Sequence, residues 1–504
     1  MAGFFDPITV TVFLVVLVVT WIFYPRKKYN LPPGPFSLPI IGCAIAFMRS
    51  KHGQRYFELF HEWGQKYGSL VRVNTVMGEM VVINEINEAM EALVTKSTET
   101  AGRMSLYSTD KMTFGGKDIA LADYSDRVKY QRRIAGAALR NLFSGGRLET
   151  MAHASIENGI RIFEEKARNK EAFDPREILN LHVYNIICAM CFDTNFELED
   201  EEFQVLFQAN TEFAELFGGG MMLVDYFPPA RYFPPTSGFK RIEKIADILN
   251  GYTLKQVQEH KEKFDPDNLK DFIDHMLKVE KDTEEEEETG RKVVLDDQHY
   301  QQTILDIFSA GTETTSATLL FIVLLLTEYQ EIQAKVQQEI EDVVGSSRLP
   351  RAADKAKMPY CEAVMYEAMR FGTIVPLGVP HKAMCDVTIG DYEIPKDTVV
   401  VINHHALHRD PKQWKNPDDF DPNNFLDQDG KLLPKPRSFL PFGAGKRVCL
   451  GEAIAKPEIF MIYTAMFQKF NFRFEEGHKS DLTFQDLSAQ VLPQPYKVLL
   501  ECRQ

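Results

Sequence analysis

The chain has 504 residues, 26% of them charged, with a formal net charge of −15. That length can bury a large core, and the acidic balance argues against a nucleic-acid partner. Seven cysteines are too few, and odd in number, for a disulfide scaffold, so a reducing, cytosol-facing compartment is expected.

From Ile8 to Tyr24 the chain is almost wholly apolar, interrupted only by Thr9, Thr11 and Thr20. Counted from Phe4, the run approaches the roughly 20 residues a membrane-spanning helix needs. A cleaved signal peptide would carry positive charge ahead of the apolar run and a small-residue cleavage site after it. Here Asp6 precedes, while Arg26, Lys27 and Lys28 come after. Basic residues stay on the cytoplasmic side. Residues 1–25 therefore read as a single N-terminal membrane anchor. Residues 26–40 form a basic, Pro-rich hinge (NLPPGPFSLP at its end) that cannot continue a helix. No linker divides residues 41–504, so they are expected to form one large domain in the cytosol. The absence of any Asn-x-Ser/Thr sequon agrees with that side of the membrane.

Spacing predicts a helix over Tyr56–Tyr67 and a strand pair over Ser69–Asn84. Helices dominate from Glu85 onward. Cys188 and Cys191 form a CxxC in apolar, helical surroundings, which reads as a buried structural pair rather than zinc. Met221 to Pro235 is unusually apolar for a loop and could meet a membrane. The acidic run Glu284–Glu288 reads as solvated surface. A long helix is predicted from about Asp296 to Tyr329, with Asp296 or Asp297 as its cap. Its apolar half, Ala317–Leu326, is too short to span a bilayer, so it is read as a buried central helix. Strands return at Asp386–Ile394, Thr398–Ile402, Phe470–Phe474 and Val491–Leu500. The fold class is mainly α with a minor β-sheet region.

Three motifs carry chemistry. The first is the loop Phe442–Gly451 (FGAGKRVCLG), which sets Cys449 among glycines and cations. Gly443 and Gly445 lack a Cβ and admit close approach of a flat group. Lys446 adds positive potential that favours a thiolate at Cys449. The second is Ala310–Thr315 (AGTETT), small and polar inside the central helix. Gly311 there costs about 1 kcal/mol against Ala, and a buried acid such as Glu313 is expensive unless paired or hydrated. A polar turn whose hydroxyls back-bond to helical carbonyls is the alternative. The third is Glu367 and Arg370, three apart in YEAMR, a spacing equally common on surfaces.

Taken together, Phe442, Gly445, Arg447, Cys449 and Gly451 resemble the haem-binding loop of the cytochrome P-450 superfamily. The resemblance runs from the PPGP hinge to the C-terminal strands and is strongest with the microsomal branch. It implies haem b seated between the long central helix and the cysteine loop, with Cys449 as iron ligand. Thiolate ligation favours O–O cleavage. It further implies that Ala310 and Gly311 leave room beside the haem. Thr314 would hydrogen-bond to bound dioxygen, and Glu313 would feed protons through water. Haem propionates would meet Arg447, Arg132, His381 and, more weakly, Arg103. Arg132 lacks the tryptophan that usually accompanies it, since Val128 stands there. Glu367 and Arg370 match the family's ExxR pair, but its usual third member is replaced by Asn424, and its following proline by Thr373.

The implied activity is a membrane-anchored monooxygenase that inserts one atom of dioxygen into a C–H bond of a lipophilic substrate. Electrons would come from NADPH through a flavoprotein reductase, NADPH-cytochrome reductase, with cytochrome b5 as a candidate second partner. Arg127, Lys129, Arg132, Arg133, Lys435, Arg437, Lys446 and Lys456 would form a positive docking face. The location implied is the endoplasmic reticulum membrane. Several stretches, such as Val401–Asp410 (VINHHALHRD), look most like the steroid 17α-hydroxylases with 17,20-lyase activity, so a steroid is the first substrate expected. A broad xenobiotic or fatty-acid monooxygenase is the alternative. Ile374, Val375, Leu377 and Phe114 are expected to line the pocket, and Asn210 is a candidate anchor for a sterol oxygen, although a surface amide is the preferred reading. Superfamily members that rearrange or dehydrate peroxides without a reductase lack the acid–threonine pair, which Glu313 and Thr314 supply here.

Overall fold

The computed structural model describes Val16 and residues 29–503, apart from 39–40, 198, 219–222, 287–292, 478–480 and 486–489. The anchor expected over 1–25 therefore lies, Val16 excepted, outside the described residues, as do the first residues of the hinge. Its described residues, 29–38, have no helix and are tied to the body. The Pro33 carbonyl accepts from the Arg72 N–H (2.9 Å), Ser37 Oγ accepts from Asn74 Nδ2 (2.9 Å), and Asn30 Nδ2 donates to the Asp391 carbonyl (2.7 Å).

The helices that build and support the site are α1 (Tyr56–Tyr67), α2 (Asp126–Phe143), α3 (Arg176–Phe192), α4 (Glu201–Gly218), α5 (Asp297–Glu328), α6 (Pro359–Gly372) and α7 (Glu452–Lys469). The mainly α class is as expected. Strands β1 (Leu70–Thr75) and β2 (Gly78–Ile83) pair antiparallel, Leu70 opposite Ile83. They join β6 (Val399–Ile402), parallel to β2, and the short β3 (His381–Lys382) in the order β1-β2-β6-β3. The pairs β4–β5 (Val387–Ile389, Tyr392–Ile394) and β7–β8 (Phe470–Arg473, Leu499–Cys502) stand apart. The strand expected over Val491–Leu500 is thus mostly irregular: Pro493 makes an isolated bridge to Phe484, Val498 one to Phe173, and Leu499 and Leu500 pair in β8.

Asp296 caps α5 by accepting from the His299 N–H (3.1 Å). Among the described residues α5 is the only helix long and apolar enough to cross a membrane, yet 78% of its apolar window is buried in the protein. Leu319 through Leu326 are all buried, and α5 packs against α3, α6 and α7. Each buried Leu or Phe contributes about 1.5–3 kcal/mol, so the apolar half of α5 is the core. Cys188 and Cys191 are buried and unpaired on α3, and burial pushes both thiols up, as a structural role requires.

Candidate functional site

A cavity of about 330 Å³ lies between the middle of α5 and the loop before α7. On the α5 side its wall is Asp306, Ala310, Thr314 and Thr318, a stripe at every fourth residue, with Gly311 beside it. Opposite stand Phe442, Gly443, Arg447 and Cys449. The turn after α6 adds Ile374, Val375 and Leu377. Residues separated by more than a hundred positions thus share one chamber.

Cys449 sits deep in the protein, but its surface is open because it faces this cavity. Burial pushes its thiol up. The N–H groups of Gly451 and Glu452, at the start of α7, and the Arg132 guanidinium pull it down. The helix N-terminus is therefore aimed at sulfur. Lys446 does not take the part expected of it, because its Nζ turns to Thr98 Oγ1 (2.6 Å) on the exposed side. The two loop glycines also differ. Gly443 (φ 69°) has open space where a Cβ would stand and lines the cavity. Gly445 (φ 71°) does not: a Cβ there would lie 1.7 Å from the Leu93 carbonyl, so it serves backbone packing.

Arg103, Arg132, Arg447 and His381 all line the cavity. Arg132 Nη2 donates to the Val448 carbonyl (2.5 Å). Arg447 donates to the carbonyls of Ala101 (2.8 Å), Ile119 (3.1 Å) and Ala122 (2.7 Å). Arg103 donates to those of Ala120 (3.0 Å) and Pro380 (3.1 Å). Burial and mutual repulsion hold Arg103 down to about 9 and Arg447 down to about 10. Burial and the Arg103 charge hold His381 down to about 3. The nearby Asp306 carboxyl is pushed well up by burial and by Asp118, against two N–H bonds from Ile119 and Ala120. A wall with surplus buried cations suits an anionic guest, and the two carboxylates of haem supply that charge. The thiol, the cations and the open Gly443 wall fit the group together.

Thr314 Oγ1 donates to the Ala310 carbonyl (2.8 Å) with its oxygen open to the cavity. Gly311 also packs α5 against α3, since a Cβ there would stand 3.0 Å from Ile187 Cδ1. Glu313 points the other way, where its Oε1 accepts from Thr211 Oγ1 (3.2 Å) and Asn210 Nδ2 (3.3 Å). Asn210 is 1% exposed and also donates to Thr312 Oγ1 (2.9 Å). It is neither a surface amide nor part of the cavity wall. Phe114 is 37% exposed in a left-handed turn (φ 51°), and it too is absent from the wall.

Glu367 and Arg370 are fully buried and doubly bonded, Nε to Oε2 and Nη2 to Oε1, both 2.7 Å. Arg370 also donates to the carbonyls of His408 (2.8 Å), Pro417 (2.6 Å) and Asp419 (2.7 Å). Asn424 Nδ2 donates to Glu367 Oε1 (3.1 Å), so the shorter residue still serves the pair. Thr373 ends α6 in a left-handed conformation (φ 40°) that proline cannot adopt. Its hydroxyl donates to the Arg370 carbonyl (2.6 Å). His408 Nε2 accepts from the Leu440 N–H (3.1 Å), so its Nδ1–H meets Thr373 Oγ1 (3.0 Å). That chain of bonds ties the ExxR helix to the cysteine loop.

Of the expected positive face, Lys129, Arg133, Lys435, Arg437 and Lys446 are exposed, whereas Arg127, Arg132 and Lys456 are half-buried. Arg127 turns inward to Gln131 Oε1 (2.7 Å).

The chain matches the family model for Cytochrome P450 over residues 32–500. It belongs to that family. The Steroid 17-alpha-hydroxylase/17,20 lyase of Squalus acanthias is 34% identical over 477 residues, covering 94% of this chain and 92% of that one. The protein of the same name from Gallus gallus is 34% identical over 474 residues, covering 92% and 91%. Cytochrome P450 2U1 of Bos taurus is 32% identical over 523 residues, covering 99% and 94%. This cytochrome P450 is accordingly an oxidoreductase of the monooxygenase class, with a haem cofactor and a redox partner.

Motif reading missed Asp306, His404, His408 and Glu458, all on the wall. Asp306 was open to discovery, being one and two steps of four before Ala310 and Thr314. Glu458 was not. Both of its carboxyl oxygens are buried without a hydrogen-bond partner, and burial alone pushes it well up. An acid held neutral in the fold but ionised when unfolded loses stability as pH rises above about 4.3. Glu458→Gln removes that term. Its thermal midpoint is expected to exceed the parent's by a margin that widens between about pH 5 and about pH 8; an equal margin at both would refute the assignment.

Proposed function

We propose that this cytochrome P450 is anchored in the endoplasmic reticulum membrane by residues 1–25, with 41–504 as its cytosolic catalytic domain. It inserts one atom of dioxygen into a C–H bond of a lipophilic substrate. Electrons come from NADPH through NADPH-cytochrome reductase, with cytochrome b5 as a second donor. The single observation that carries the reading is Cys449 facing Thr314 across one apolar-walled cavity.

Cys449 would hold the haem iron, and Arg103, Arg132, Arg447 and His381, which line the same cavity, would face its carboxylates. When bound, the haem supplies activation of dioxygen. Ile374, Val375 and Leu377 exclude water from the distal wall and present apolar surface to the substrate. Thr314, its hydroxyl proton given to the Ala310 carbonyl, offers its Oγ1 oxygen to the cavity, where it can accept and relay a proton. Glu313, turned toward Asn210 and Thr211, stands one step back as the proton source and reaches Thr314 through water. Exposed Tyr226, Phe227, Tyr232 and Phe233 give the α4-side loop an apolar face suited to a membrane surface.

Two relatives named as steroid hydroxylases support a steroid substrate. One observation favours the second reading, a fatty-acid or broad xenobiotic substrate. Asn210, the candidate sterol anchor, is bonded to Thr312 and Glu313 instead of facing the cavity. Titrating the ferric protein with progestins and fatty acids decides between them. A steroid enzyme shifts its Soret band at lower progestin concentration, and the reverse order favours the second reading. Turnover of a lipid hydroperoxide without NADPH or reductase would instead point to a peroxide isomerase or dehydratase.

A further inference from the structure

We propose that Asp306 is a positioning residue for Arg447, and that it acts through the loop Asp118–Ala122. The loop runs between two sets of charges. Asp306 Oδ2, on the cavity stripe of α5, accepts from the N–H groups of Ile119 (2.7 Å) and Ala120 (3.1 Å). Asp118 Oδ2 accepts from the Leu121 N–H and from that of Ala122 (3.2 Å). On the other side, the Ile119 and Ala122 carbonyls accept from Arg447 Nη1 (3.1 Å) and Nη2 (2.7 Å). The Ala120 carbonyl accepts from Arg103 Nε (3.0 Å).

These bonds pair off by peptide unit. The Ile119 carbonyl and the Ala120 N–H belong to one planar amide. That amide has Arg447 at its acceptor end and Asp306 at its donor end. The next amide joins the Ala120 carbonyl to the Leu121 N–H, with Arg103 at one end and Asp118 at the other. A carboxylate at the N–H end polarises an amide and makes its carbonyl the better acceptor. Turning either amide would break the bonds at both of its ends. Asp118 is buried and α5 is held by the core, so the carboxylates are the fixed ends. Arg447 gives an N–H from each of its three nitrogens to a carbonyl, Ala101, Ile119 and Ala122. Those ties set the plane of the guanidinium and leave its remaining N–H groups for a guest of the cavity it lines. Recognition of a carboxylate by a planar fork depends on that plane being held. Asp306 shares its face of α5 with Thr314, so one peptide unit joins the helix that walls the chamber to its cationic edge.

The proposal rests on the haem-thiolate reading, which fails separately if the parent protein binds no haem. The test is haem transfer from purified ferric protein to excess apomyoglobin, with the ferric–ferrous potential measured beside it. Asp306→Ala strips two N–H groups of a carboxylate acceptor and is expected to lose haem about tenfold faster. Asp306→Asn keeps an oxygen for both N–H groups and is expected to stay near the parent. Both variants remove the same carboxylate, so a difference in potential between them reports the arginine. Asp306→Ala is expected to have the lower potential, because a displaced cation neutralises the haem carboxylates less. Arg447→Lys cannot hold three carbonyls in one plane, and in that background Asp306→Ala is expected to add less than about twofold. Should Asp306→Ala take up no haem, Asp306→Ser replaces it in each comparison. Equal potentials in the Ala and Asn variants overturn the proposal, as does the full tenfold step recurring in the Arg447→Lys background. Weakened substrate binding with haem loss unchanged overturns it too, and would assign Asp306 to the substrate.

Discussion

Arg370→Ala is expected to yield almost no haem-loaded protein. Its guanidinium is buried, doubly bonded to Glu367, bonded to three carbonyls, and stacked 5.2 Å from the Trp414 ring. Removing it leaves the Glu367 carboxylate buried with only the Asp421 N–H and the Asn424 amide. Breaking a buried pair in this way costs about 3–5 kcal/mol, a large share of the roughly 5–15 kcal/mol that holds a typical fold. Arg370→Lys is not expected to rescue it, because an ammonium cannot match the planar fork. Asn424→Ala, which removes one amide donor, is expected to cost only about 1 kcal/mol and to retain haem. The ratio of Soret to protein absorbance, with thermal unfolding, measures all three. A stable, fully loaded Arg370→Ala protein would show that the pair does not hold the cysteine side together.

Thr314→Ala is expected to uncouple electron use from product. NADPH consumption continues, peroxide accumulates, and product per NADPH falls by at least about tenfold, since positioned proton transfer is typically worth 10²–10⁴. Back-bonding by threonine contributes little to a helix, so α5 survives the loss of the bond to Ala310. Thr314→Ser keeps the hydroxyl and is expected to stay coupled. Glu313→Gln is expected to have the smaller effect, since Glu313 faces α4 and not the cavity. Coupling unchanged in Thr314→Ala would take Thr314 out of proton delivery.

The motifs placed most of the cavity because each is contiguous and its backbone is dictated locally. The cysteine loop, the interrupted α5 and the turn after α6 are of this kind. Failures arose where tertiary contacts set the direction of a side chain. Asn210 sits on a helix with polar residues on more than one face, and spacing does not say which face meets α5. Phe114 is turned outward by a left-handed residue. Lys446 is drawn to Thr98, and Gly445 is required by the Leu93 carbonyl, both contacts across hundreds of positions. The arginines are on the wall as the resemblance implied, but their ties to main-chain carbonyls, such as Arg103 to Pro380, leave no trace in local sequence. Asn424 and Thr373 depart from the family pattern, and only the fold shows them still serving Glu367 and Arg370.

The central claim is that Cys449 is the iron ligand, and the most direct measurement is the absorbance spectrum of the purified ferrous protein under carbon monoxide. A red-shifted, thiolate-type Soret band is predicted, lost in Cys449→Ser. A Soret band of the histidine-ligated type, or one unchanged in Cys449→Ser, would contradict it.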